Sequence, residues 1–323
     1  MAALVCTLVC ALNPHDLATL RHAVKLRNQG FTVIPMDADH GLLAGAASAV
    51  RRELTERLND VEELGIHPIE QGYSFREIAH RFRNRWDLKV PASDDVNAVC
   101  NLAVDRASPI IRAVHSLPVH PDEGLKYWPR TLSPRRPKLL MTGAIISRPG
   151  ADEQMFHRDS DEWHDRIAST VPSHRLYSVF IPLVDVAPNS VGTTFWPRSH
   201  LSRLGEAMYS AAEERSGTVE DDPIAQSEFV SPGCKAGDMI LFDARIFHRG
   251  NANTADADRP ILYAMCGTGW ARDTYNFPPQ RLRAALGSLP QEAEERALVK
   301  QVVAKAHFSW EEVYAQGQQR RHA

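Results

Sequence analysis

The sequence predicts an α+β fold with a mainly β core, an antiparallel barrel or jelly roll wrapped by helices from both ends. Three observations carry this. From Lys138 to Trp270 the chain breaks into short apolar segments rich in β-branched and aromatic residues, with Pro, Gly, Asn and Asp between them. Before that stretch, apolar residues recur mostly at helical spacing. After about Pro278, Ala, Glu, Lys and Arg dominate and helix returns.

Taken in order, Asn13-Pro14 offers a helix start, with proline at the first helical position, and Gly30 offers its stop. FTVIPM then reads as a short strand. Leu42 to Leu64 is helical in pattern and Gly65 follows it. Tyr73 to Leu88 places Phe75, Ile78, Ala79, Phe82 and Trp86 at helical spacing, which predicts another helix. Asp94 or Asp95 caps one more, running to about His115. The strand candidates are KLLMTGAIIS, RLYSVFIPLV, TTFWP, DMILFDARIFHRG and RPILYAMCGTGW. No internal repeat is visible. The expected organisation is one domain over 1–323: a helical part to about 137, a β core over about 138–272, and helices over about 278–323.

The bulk properties exclude several classes. A content of 43% hydrophobic and 24% charged residues is that of an ordinary globular protein able to bury a sizeable core. A net charge of −3 provides no global field for a polyanion, so no nucleic-acid partner is expected. Five cysteines, with no C-x-x-C pair, disfavour a disulfide framework or structural zinc site and fit a reducing, cytoplasmic compartment. The apolar start, MAALVCTLVCAL, is too short to span a bilayer and lacks a basic flank, so no membrane partner is expected.

Candidate chemistry begins with H-x-D. A His and an Asp at i and i+2 on a strand share a face and can hold a divalent metal. With 14 histidines, chance alone supplies about one such match. This chain has two. His120-Pro-Asp122 sits between prolines and reads as a solvated turn. His157-Arg-Asp159 follows a strong strand candidate, where a rigid element can aim ligands. Period two through GDMILFDARIFHRGN puts Ile240, Phe242, Ala244, Ile246 and His248 on one face, an apolar stripe ending in His. From His248 alone, a core histidine satisfied by a backbone group is the favoured reading. Arg259 opens the next strand candidate, and a hairpin over GNANTADAD would bring it back beside the His248 strand. Two His and one carboxylate form a facial triad that suits non-haem Fe(II), and a nearby Arg could anchor the far carboxylate of a chelating diacid.

These stretches resemble the phytanoyl-CoA dioxygenase family of Fe(II)- and 2-oxoglutarate-dependent oxygenases, over about Gly30 to Trp270. The specific pieces are RPGADEQMFHRD (Arg148 to Asp159), IPLVDVAPNSVGTTFWPRSH (Ile181 to His200) and GDMILFDARIFHRGN (Gly237 to Asn251), followed by Arg259. The resemblance implies a double-stranded β-helix, or jelly roll, with iron on His157, Asp159 and His248. It implies a 2-oxoglutarate anchor at Arg259, with Thr193 and Gln154 as further cosubstrate contacts. Dioxygen is the second cosubstrate and ascorbate a supporting reductant. The implied reaction hydroxylates, desaturates or cyclises a small molecule while 2-oxoglutarate becomes succinate and carbon dioxide. Related halogenases lack the carboxylate ligand that Asp159 supplies, so hydroxylation-type chemistry is implied. The family's P-G-S-H turn reads Pro197-Arg198-Ser199-His200 here, which puts a left-handed conformation at that position in question. Trp163, in the loop after the metal pair, is a candidate substrate contact beside the plainer reading of a packing Trp. Two rival classes remain: a non-oxidative cupin-type metal enzyme with no use for Arg259, and a binding module that keeps only the fold.

Overall fold

The structure is a computed structural model that describes residues 14–90, 93–117, 137–160, 175–268 and 280–306. Helix α1 (Pro14–Gln29) ends at Gly30, whose φ of +89° is open to glycine at little cost, and strand β1 (Phe31–Ile34) follows. Helix α2 (His40–Glu63) starts where Asp39 accepts the Leu42 N–H, and Gly65 lies beyond its end. Helix α3 (Asp94–Ser116) is capped by Ser93 rather than by either aspartate, because the Ser93 hydroxyl accepts the Val96 N–H.

Between α2 and α3 the prediction fails. Tyr73 to Leu88 is not a helix but three short strands: β2 (Tyr73–Ser74), β3 (Ile78–Phe82) and β4 (Arg85–Leu88). The apolar spacing that looks helical is also served by alternation. Ile78, Trp86 and Leu88 are fully buried, while Arg85 and Asp87 take the other face of β4. Asn84, at φ +56°, makes the turn between β3 and β4, and Asn is among the few residues that tolerate that region.

The remaining strands are β5 (Lys138–Ser147), β6 (Leu176–Pro182), β7 (Thr193–Phe195), β8 (Met239–Asp243), β9 (His248–Gly250) and β10 (Arg259–Gly267). Helices α4 (Ser202–Ser216) and α5 (Pro223–Glu228) lie between β7 and β8. Helices α6 (Leu282–Gly287) and α7 (Ala293–Ala306) follow β10. Among the described residues the major sheet has eight strands in the order β1-β8-β6-β10-β5-β4-β3-β2, and β7 pairs with β9 in a minor sheet. The sheet therefore takes in β1, expected as a strand from FTVIPM, and β2–β4, from the stretch expected to be helical.

The faces of the major sheet divide the core. Ile146, Val179, Leu241 and Leu262 pack with Leu54, Val104 and Ile111 of the helices. On the other face Phe31, Phe180, Phe242 and Ile261 pack with Phe195 of the minor sheet, and Phe195 stacks on Phe31 at 4.7 Å between centroids. Two sheets closed over one apolar interior make the jelly roll. Two further details differ from expectation. The period-two stripe breaks after Asp243, where the chain turns from the major to the minor sheet. Ile240, Phe242 and Ile246 stay in the intersheet core, but Ala244 packs with Leu176 and Met265 instead. No hairpin joins Arg259 to the His248 strand: β10 inserts between β5 and β6, and Arg259 sits opposite Ser147. Among the described residues no helix is long and apolar enough to cross a membrane.

Candidate active site

His157 and His248 face each other across a two-way backbone pair, each N–H donating to the other's carbonyl at 2.9 Å. This fixes the imidazoles with centroids 4.5 Å apart. The Nδ1 of His157 lies 3.0 Å from the Met155 carbonyl, and that of His248 lies 3.0 Å from the Ile246 carbonyl. A carbonyl only accepts, so each Nδ1 carries the proton and each Nε2 lone pair is left for a ligand. The Asp159 N–H donates to the Ala244 carbonyl at 2.9 Å, and Ser178 of β6 donates to Asp159 Oδ2 at 2.9 Å. The other oxygen, Oδ1, lies 3.5 Å from His248 Nε2. One donor atom from each of the three residues falls within 4.8 Å of the others. Desolvation, reinforced by the His248 ring, pushes the His157 imidazole below its ordinary value, so it is held neutral, the form that ligates a metal.

The triad opens on a cavity of about 290 Å³, lined also by Gln154, Thr193, Arg259 and Arg85. Arg259 is 2% exposed, and its guanidinium donates to Gly192 O at 3.2 Å, Ser147 Oγ at 3.1 Å and Asn251 O at 3.4 Å. Arg85 is 4% exposed and donates to Asn251 O at 2.7 Å, Asp152 O at 3.0 Å and Gly250 O at 3.3 Å. Those acceptors are neutral, and each arginine keeps a buried Nε without a partner. Burial pushes Arg259 down to about 10, and burial with the nearby Arg259 charge pushes Arg85 down to about 9. Two guanidiniums held this way form a site for an anion. Gly250 makes the approach possible, because a Cβ there would meet Arg85 Nη1 at 2.1 Å and Gln154 Oε1 at 2.6 Å. Gln154 Oε1 accepts the Gly250 N–H at 3.0 Å.

The structure thus brings His157, Asp159, His248, Gln154, Thr193 and Arg259 around one cavity. Trp163 lies outside the described residues, as do His120 and Asp122. Arg85 is the residue that sequence reasoning missed. Once Tyr73 to Leu88 was read as helix, its position opposite Ser147, and so in line with Arg259, could not be seen. An alternating reading of R-W-D-L, with Trp and Leu on one face, was the available signal.

A donor set of two imidazoles and one carboxylate fits Fe(II), and the paired guanidiniums fit the free carboxylate of 2-oxoglutarate. Comparison with known proteins agrees with this architecture. Dioxygenase easH of Epichloe festucae var. lolii is 30% identical over 124 residues, 38% of this chain and 58% of that protein. Dioxygenase af480 of Aspergillus fumigatus is 26% identical over 172 residues, 52% of this chain and 47% of that protein. The chain therefore spans about half the length of the curated relatives it matches. Among solved structures, the epimerase SnoN in complex with Fe3+, alpha ketoglutarate and nogalamycin RO superimposes with a TM-score of 0.51. It is 18% identical, over 87% of this chain and 93% of that one, which is a likeness of fold. The phytanoyl-CoA dioxygenase (PhyH) family model matches residues 28–261, and the chain belongs to that family.

Proposed function

We propose that the chain is an Fe(II)- and 2-oxoglutarate-dependent oxygenase acting on a small molecule. The carrying observation is the pairing, within one cavity, of the His157–Asp159–His248 cluster with the two buried arginines Arg259 and Arg85. A cupin-type metal enzyme would need the first and have no use for the second. Iron, 2-oxoglutarate and dioxygen together supply the oxidative chemistry when bound.

The chain's own residues do the rest. His157 and His248 hold Nε2 toward the ion, each oriented by the carbonyl that its Nδ1–H meets. Asp159 supplies the anionic ligand, and Ser178 keeps its second oxygen occupied. Arg259 and Arg85 take the cosubstrate's distal carboxylate, with Thr193 and Gln154 lining its path. Phe180, Ile145 and Ile261 form the apolar wall that keeps water from the reacting centre. Ascorbate serves as the reductant that keeps iron ferrous in assay. Cys100, Cys234 and Cys266 are buried free thiols, which supports a reducing, cytoplasmic setting.

Purified protein with Fe(II), 2-oxoglutarate, ascorbate and oxygen should form succinate slowly. A screen of small hydrophobic acids, amino acids and natural-product precursors should accelerate this with at least one compound. The product should gain one oxygen or lose two hydrogens, and with chloride abundant it should carry no chlorine. Iron-loaded protein that never forms succinate would favour a binding module, and a chlorinated main product would refute the hydroxylase reading.

A further inference from the structure

The two cavity arginines belong to the major sheet, but they donate mainly to backbone at the end of the minor one. β7 and β9 pair from Phe195 with His248 to Thr193 with Gly250, and the residues just past that last pair are Gly192 and Asn251. The Asn251 N–H donates to Gly192 O at 3.0 Å and so closes the open end of the ladder. Gly192 O also accepts Arg259 Nη1 at 3.2 Å. Asn251 O accepts from both arginines, Arg85 Nη2 at 2.7 Å and Arg259 Nη2 at 3.4 Å. Among the described residues it is the one acceptor that the two guanidiniums share. The negative end of a carbonyl dipole between two like charges offsets their repulsion and draws both forks toward one point.

The side chain of Asn251 points the other way. Alternate residues of these strands face opposite sides. Thr193, His248 and Gly250 line the triad cavity, whereas Thr194, Arg249 and Asn251 line a second cavity of about 740 Å³ on the outer face. There the Asn251 amide is fixed at both ends. Its Oδ1 accepts the Thr194 hydroxyl at 2.7 Å, and its Nδ2 donates to Ser190 O at 2.6 Å. Alanine would take a partner from each, and aspartate would turn a carboxylate oxygen toward the Ser190 carbonyl. From the outer face the side chain does not reach the cosubstrate, so it acts through the carbonyl that it holds in place. Resting on the oxygenase reading above, we propose that Asn251, clamped by Thr194, is the positioning residue of the cosubstrate's carboxylate anchor. Its carbonyl keeps Arg85 and Arg259 converged. His248 lies three residues earlier, so one rigid segment carries both a metal ligand and the hold on the anchor. Loosening the Asn251 end disturbs the anchor and leaves the metal ligands alone.

The test compares Asn251→Ala, Thr194→Val and Thr194→Ser with wild type. Each protein is loaded anaerobically with Fe(II) and titrated with 2-oxoglutarate, followed by the visible charge-transfer band. Fe(II) affinity is measured separately by calorimetry. Asn251→Ala should weaken 2-oxoglutarate binding by about tenfold. Thr194→Val keeps the shape but loses the hydroxyl, so it should weaken binding too, and it serves if Asn251→Ala fails to fold. Thr194→Ser keeps the hydroxyl and should restore affinity close to that of wild type. Fe(II) affinity should hold in all three, which a general loosening of β9 would not allow. Wild-type affinity in both Asn251→Ala and Thr194→Val, equal losses in the Val and Ser variants, or a parallel fall in Fe(II) affinity would overturn the proposal. Glutarate has both carboxylates of the cosubstrate but no oxo group to chelate with. Titrated into metal-free protein, it reads the arginine pair without the metal, and the same order of variants is expected. Glutarate that binds all four proteins alike, or none of them, would count against the Asn251 role. A wild type with no visible band, whose variants still keep that order with glutarate, would count against the oxygenase reading alone.

Discussion

Replacing Arg198 with glycine should stabilise the protein, although the residue is exposed and removed from the cavity. Arg198 holds φ at +74°, one of four non-glycine residues with positive φ among those described. An L side chain in the left-handed region costs about 1–2 kcal/mol. Glycine removes that cost but gives back about 0.5–1 kcal/mol through the extra freedom of the unfolded chain. The net gain is about 0.5–1 kcal/mol, or about 1–2 °C in Tm for a chain of this size. The conformation is held by neighbours on both sides. The Arg198 N–H donates to Gln29 O at 3.0 Å, and the Leu201 N–H donates to Arg198 O at 3.0 Å. Adjacent Ser199 accepts the Phe247 N–H at 2.9 Å, which ties the turn to the residue before His248. Calorimetric and denaturant unfolding of Arg198→Gly and Arg198→Ala separate the backbone from the side chain. Alanine keeps the strain and should be less stable than glycine. An Ala variant as stable as the Gly variant, or a Gly variant below wild type, would refute the strain argument.

His157→Ala or Asp159→Ala should abolish Fe(II) binding measured by calorimetry, whereas His120→Ala and Asp122→Ala should leave it largely intact. Arg259→Lys keeps the charge but loses the fork, so 2-oxoglutarate affinity should fall about ten- to a hundredfold while Fe(II) affinity barely changes; a titration matching wild type would remove Arg259 from the cosubstrate site. Asp243, 2% exposed, is clasped by Arg245 at 2.9 and 2.7 Å. Burial alone would raise its pKa, but Arg245, with Arg175 beside it, outweighs burial and lowers it. A carboxyl depressed in the folded state contributes stability above its unfolded value near about 3.9, and that contribution is lost as pH falls through the folded value. Asp243→Asn should therefore cost about 3–5 kcal/mol at neutral pH and flatten the acid limb of the stability curve, read by urea unfolding from neutral to acid pH.

The β core was legible because its strands carry their own signal. RPILYAMCG is apolar on both faces and buried along its whole length, as a strand lying between helices and a second sheet must be. His157 and Asp159 were legible because a rigid segment precedes them. The stretch Tyr73 to Leu88 was not legible. Its apolar spacing satisfies either period, and only long-range pairing of β4 with β5 decides between them. The Arg85 role fell with that choice. The Arg259 position was reached through the wrong geometry: local reasoning favours a hairpin, but β10 has two better partners in β5 and β6, each with a long register. Arginine then reaches the cavity from the opposite sheet. Asn251 was invisible for a similar reason, since nothing in its neighbourhood shows that its carbonyl meets arginines from the other sheet.

The most direct test of the central claim is an anaerobic titration of 2-oxoglutarate into the Fe(II)-loaded protein, followed in the visible. Chelation of one cosubstrate per chain should produce a weak metal-to-ligand charge-transfer band that saturates at one equivalent. Tight Fe(II) binding with no such band at any 2-oxoglutarate concentration would contradict the account.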